Sequence, residues 1–163
     1  MSSGRTHVKA SLFLAAGFGV GMIVSPNPEL IKCIAGSLVG ILLTPDLDVD
    51  KTYIGNKIIK EKIGYIPERM WNGFWWGYKK SFKHGQFGSH FPIFSTFVRL
   101  SYVFFWLVFV PHFLIYFSAN PNWNLTKVLL WYAKILFDFY FFCGLSGSDL
   151  VHYVLDKLTK NVD

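Results

Sequence analysis

The chain has 163 residues, of which 52% are hydrophobic, 19% aromatic and 16% charged, and its mean hydropathy is +0.35. That is enough for one domain and too apolar for an ordinary soluble one, so membrane spans are the first expectation. Eight basic residues between Lys51 and Lys83 face only Glu61 and Glu68, which accounts for the whole formal charge of +6; a basic loop between apolar segments suits anionic lipid headgroups on the cytoplasmic face and argues against nucleic acid.

The first apolar segment, about 8–24, follows a basic start. The Ser25-Pro26-Asn27-Pro28 run after it lacks a small-x-small cleavage site, so an uncleaved first helix is expected. The second segment, about 30–43, stops at Thr44-Pro45, short of the ~20 residues a crossing takes. It either spans a locally thinned bilayer or is buried among the other helices. Gly17-x-x-x-Gly21 and Gly36-x-x-x-Gly40 would let these two helices approach closely. The segments at about 97–117 and 125–145 are long enough to cross. Ser25 to Glu29 and Ser118 to Asn124 carry no Lys or Arg, whereas the N-terminus, the 46–92 loop and the C-terminus hold most of the positive charge. Both termini are therefore expected on the cytoplasmic side. The fold class is all-α: an integral membrane bundle of about four hydrophobic helices, with a cytoplasmic interfacial region in the basic loop and a C-terminal amphipathic helix over 149–159.

Inside the loop, Trp71, Phe74, Trp75, Tyr78 and Phe82 recur at helical spacing, with Lys79, Lys80 and Lys83 at one end. Such a helix either lies in the headgroup layer or packs on the cytoplasmic ends of the spans. Cys33 and Cys143 sit in apolar stretches without CxxC spacing and read as small buried hydrophobes.

The residues of metal-ligand type fall in four patches, each at the cytoplasmic end of an apolar segment or in the loop. Asp149, His152 and Asp156 are three and four residues apart, so a helix presents them on one face. They form either a metal site, for which an imidazole and a carboxylate at i and i+4 suit zinc or manganese, or a solvated polar face. Asp46, Asp48 and Asp50 alternate after Pro45; in an extended chain they point to one side, where they either hold a cation, since close carboxylates otherwise repel, or form a plain charged cap at the membrane boundary. His84 and His90 bracket two glycines in a turn, and His7 lies near the N-terminus. His112, after Pro111 and towards the opposite side, is left out of the site and read as bonding a carbonyl freed by the proline. Lys134 and Asp138 are placed to pair at i, i+4.

Ser3-Gly4-Arg5-Thr6-His7, Thr44-Pro45-Asp46-Leu47-Asp48, Trp75-Trp76-Gly77-Tyr78-Lys79-Lys80, His84 to Ser89-His90-Phe91-Pro92, Val98-Arg99-Leu100 and Gly147-x-Asp149-x-x-His152-x-x-x-Asp156 occur in this order. Taken together they resemble a family of uncharacterised metal-binding proteins common in cyanobacteria and, more distantly, the YdjM-like membrane-bound metal-dependent hydrolases. The resemblance implies His7, Asp46, Asp48, His84, His90, Asp149, His152 and Asp156 as metal ligands. It implies a divalent metal cofactor, zinc first, with manganese or iron as alternatives, and hydrolysis of a small-molecule or lipid phosphoester at the membrane surface. Asp48 or Asp50 would then serve as the base that takes a proton from water. The family's usual His-Arg is His84-Gly85 here, so one guanidinium that would clamp a phosphate is absent. The alternative is a non-catalytic membrane protein with a structural or sensing metal site.

Overall fold

The structure is a computed structural model and describes residues 4–48, 54–82, 91–119 and 124–160. Every regular element among them is helical. In chain order they are α1 (Gly4–Val24), α2 (Leu30–Val39), a 3-10 turn (Pro45–Asp48), α3 (Ile54–Lys62), α4 (Tyr65–Phe74), α5 (Trp76–Ser81), α6 (Pro92–Phe104), a π segment (Phe105–Phe109), α7 (Val110–Ala119), α8 (Leu125–Leu136) and α9 (Phe139–Lys160).

Two stretches, Arg5–Val24 and Pro92–Ser118, are long and apolar enough to cross a membrane, and α8 with α9 makes a third if the bent pair counts as one. The four crossings that the sequence predicts are thus reduced to two or three. The shortfall lies in α2, whose 10 residues rise about 15 Å, half the ~30 Å of a hydrocarbon core. The long stretch from Pro92 widens into a π turn directly before Pro111, whose ring cannot seat against the carbonyl of a regular preceding turn. His112 Nδ1 bonds the Val108 carbonyl there at 2.8 Å, within the helix and away from any cluster.

The fourth apolar segment is not one helix. It bends by 47° between Leu136 and Phe139. Asp138 Oδ1 accepts from the backbone N–H groups of Tyr140 and Phe141, each at 3.1 Å, and so starts α9 as its cap. Its other oxygen accepts from Lys32 of α2 at 3.0 Å. The pairing of Asp138 with Lys134 that the spacing predicts therefore gives way to a cap and a cross-helix partner. Once capped, α9 runs unbroken to Lys160, so the separate C-terminal helix expected over 149–159 is its second half.

The close approach that the small residues make is also between different helices than expected. A Cβ on Gly36 would overlap the Phe141 carbonyl, one on Gly144 would overlap the Cys33 carbonyl, and one on Gly40 would strike the Ser148 side chain. α2 thus lies backbone to backbone on α9. α1 packs on both, but Gly17 and Gly19 have nothing within 4 Å of where a Cβ would be.

The short helices close one end of this bundle. Leu43, Leu47, Trp75, Tyr78, Leu100 and Leu145 form its buried core, with Trp71, Phe74 and Phe82 packed against them. Tyr102 of α6 stacks on Trp75 and donates to the Phe74 carbonyl at 2.6 Å. Of the two readings of the aromatic stripe, its burial favours packing on the helix ends.

Gly144→Ala must push two backbones apart and should lower stability by roughly 2 kcal/mol or more. Gly17→Ala meets open space and should leave the protein as stable or slightly more so. Thermal unfolding of both variants in the same detergent checks this; equal effects would contradict the assigned crossing.

Candidate metal centre

The face of α9 that meets α2 and α1 continues, turn by turn, into the site. Gly144, Ser148, His152 and Asp156 succeed one another at i+4, a spacing that keeps side chains in one slowly winding row. α1 offers a matching row: His7, Ser11 and Ala15 are buried. The two rows run antiparallel, and the Ser11 and Ser148 hydroxyls meet at 2.6 Å. One turn further along each helix, that register sets His7 beside His152. Their rings stack with centroids 3.6 Å apart and planes 19° from parallel.

The third contribution comes from the 3-10 turn. Pro45 ends the path from α2, and the Asp46 N–H bonds back to Thr44 Oγ1 at 3.2 Å. Leu47 is buried in the core and anchors the turn, which leaves Asp46 aimed at α9. Asp46 Oδ1 lies 3.3 Å from His152 Nε2, Asp156 Oδ2 lies 3.2 Å from that same atom, and Asp156 Oδ1 lies 3.4 Å from His7 Nε2. Burial pushes the Asp46 carboxyl up, but the hydrogen bond and charge of His152, with His7 behind it, outweigh burial and hold it below the usual carboxylate range.

This donor set fits a cation. One ligand atom from each of His7, His152 and Asp156 falls within a 4.8 Å span. Donors about 2.1 Å from a tetrahedral zinc sit roughly 3.4 Å from one another, close to the separations between the imidazole nitrogens and the carboxylate oxygens here. Two imidazoles and one carboxylate, with Asp46 beside His152 as a further oxygen donor and no thiolate among them, suit zinc, manganese or iron among divalent ions.

The remaining sequence-predicted ligands part company. Asp149 shares the face of His152 but is taken up by α6: Arg99 and Thr96 both bond its Oδ2. Arg99 and Asp149 are 0% and 1% exposed, so this is a fully buried ion pair at the floor of the site. Arg99 Nε also donates to the Ser95 carbonyl at 3.2 Å, which fixes the guanidinium on its own helix. Asp149 lines a cavity of about 10 Å³ together with Ser11, Thr44, Ser148, His7 and His152, room for about one water or one ion. The extended run expected after Pro45 is instead a 3-10 turn as far as Asp48, so residues 46 and 48 do not point the same way. The side chain of Asp48, and Asp50, His84 and His90 altogether, lie outside the described residues.

Sequence reasoning missed Ser11, Ser148, Thr96 and Arg99. The two serines were findable by stepping four residues inward from His7 and from His152. Nothing in one dimension marks Arg99 as the partner of Asp149, because the pair joins different helices fifty residues apart.

Removing one member of a buried ion pair strands the other. Arg99→Met should therefore cost about 3–5 kcal/mol, and the double variant Arg99→Met/Asp149→Leu should recover much of that. Denaturant unfolding of both in detergent measures it; a cost below about 1 kcal/mol for the single variant would show that the pair is not closed as described.

No curated protein and no solved structure matches the chain. A family model does, over residues 2–163, and its members are described as uncharacterized metal-binding proteins. The chain, with His7, His152 and Asp156 gathered at the ends of its helices, belongs to that metal-binding family, DUF2227.

Proposed function

We propose that the chain is an integral membrane protein that holds a divalent cation, zinc by its donor set, at His7, Asp46, His152 and Asp156, and hydrolyses phosphoesters with it at the cytoplasmic surface. The observation that carries this reading is the meeting of those four side chains from three separate elements at one end of the apolar helices. Arg5, Lys9 and Lys157 stand at that same end, which supports its cytoplasmic placement. Three protein ligands would leave one position of a tetrahedral ion open to water, and four would do so only if the ion expanded to five-coordination. A cation bound there would lower the pKa of a bound water and stabilise charge on phosphoryl oxygens. Asp48 or Asp50, the other carboxylates of the Asp46 run, would take the proton from that water.

A second reading is favoured by the small cavity and by the burial of His7 and His152. The cation would then staple α1, the 3-10 turn and α9, as a structural or sensing site. Both readings expect close to one metal per chain in the purified protein and its loss in His152→Ala. They divide on turnover. The hydrolase reading expects a metal-dependent release of nitrophenol from a nitrophenyl phosphodiester that Asp48→Asn reduces at least tenfold without releasing the metal. The staple reading expects no turnover and a melting temperature that falls when a chelator removes the metal. Protein that carries no metal after loading contradicts both.

A further inference from the structure

The α3–α5 block has a second apolar face, opposite the one that packs on the bundle. Trp75 and Tyr78 point inward and are buried, whereas Ile66 and Met70 are each 72% exposed, one turn apart on α4. Ile63 just after α3 and Trp76 at the start of α5 are exposed on either side of them. A water-soluble surface rarely sets so many large apolar side chains on three consecutive short helices.

The charges of this block are predominantly positive. Within residues 54–82 there are six basic residues against Glu61 and Glu68. Lys57 bridges to Glu61 at 3.7 Å, and Glu68 accepts from Asn72 at 2.6 Å. Among the described residues, Lys60 and Arg69 lie instead against the Tyr65 ring at 5.9 and 4.7 Å, and Lys80 against Trp76 at 4.4 Å. The basic groups thus frame exposed aromatic side chains. That pairing of exposed apolar rings and positive heads suits the boundary between acyl chains and phosphate headgroups.

We infer that α3–α5 dock on the anionic surface of the bilayer that the long helices cross, with Ile63, Ile66, Met70 and Trp76 entering the acyl boundary and Lys60, Lys62, Arg69 and Lys80 meeting headgroup phosphates. The inference rests on the membrane reading above and names the lipid class that this reading leaves open. Because α5 packs on the 3-10 turn that carries Asp46, docking holds the metal centre at the headgroup plane.

The test uses the full-length protein with Cys33→Ala and Cys143→Ala, a spin label placed at Ile66→Cys or Met70→Cys, and reconstitution into vesicles. A label at Leu107→Cys, exposed in the middle of the Pro92–Ser118 stretch, serves as the reference. In vesicles containing one third phosphatidylglycerol, labels at 66 and 70 should be reached by oxygen in preference to a water-soluble nickel chelate. That preference should fall at least twofold in pure phosphatidylcholine, and again when Lys60, Lys62, Arg69 and Lys80 are changed together to Gln. If 66 and 70 are open to the chelate while 107 is shielded, the docking inference is wrong and the membrane reading stands. If 107 is open as well, the membrane reading itself fails. Dipolar broadening between labels at 66 on two copies would assign the face to self-association and overturn the lipid assignment, as would ratios indifferent to headgroup charge.

Discussion

The contact between α2 and α9 through Gly36 and Gly144 fixes the height at which everything else sits. Two helix backbones can come this close only where no Cβ intervenes, so the pair of glycines sets both the separation and the register. Ser148 then falls against Gly40 and Ser11, and His152 and Asp156 follow on the next two turns of the same row. A slip of one residue in α9 would rotate that row by about 100° and carry both donors away from His7. The candidate metal centre is thus a continuation of the helix packing into a stretch where small residues give way to residues of metal-ligand type.

Burial supplies the second constraint. Asp46, Asp149 and Asp156 bring three carboxylates into one poorly hydrated region, and carboxylates there need counter-charges. Arg99 answers Asp149 from below, bound to its own helix through Ser95. Asp46 and Asp156 face imidazoles, which are neutral ligands when a cation is present. A divalent ion among them would balance two carboxylates, whereas a site built on one imidazole alone would leave negative charge uncompensated. The Arg99 pair takes up Asp149 and leaves His152 and Asp156 to the candidate cation site, so Asp149 is bound differently although it shares their helical face.

How much of this was legible in the sequence follows from which signals are local. The long helices and the His7, Asp46, His152 and Asp156 patches were readable, because apolar length, positive charge and i+4 spacing are properties of single segments. The partners of those segments were not. Gly36-x-x-x-Gly40 announces a close neighbour without saying whether it is α1 or α9. Asp138 is spaced equally well to pair with Lys134 or to cap a new helix, and only the bend decides. The aromatic stripe of α4 and α5 reads equally as lipid-facing or as packed on the helix ends until Leu47 and Tyr102 come to lie against it; the lipid-type residues Ile66 and Met70, two isolated positions in a basic loop, attract no notice by periodicity. His84 and His90, which the family resemblance adds to the ligand set, and Asp50, a candidate base, fall outside the described residues.

The central claim is that imidazole and carboxylate side chains at one end of the bundle bind the metal. X-ray absorption at the zinc edge, on detergent-purified protein loaded with one equivalent, tests it most directly. The account predicts a first shell of nitrogen and oxygen near 2.0–2.1 Å, outer-shell scattering from two imidazole rings, and no sulfur. Sulfur scattering near 2.3 Å, which would implicate Cys33 or Cys143, or a shell without imidazole, would contradict it.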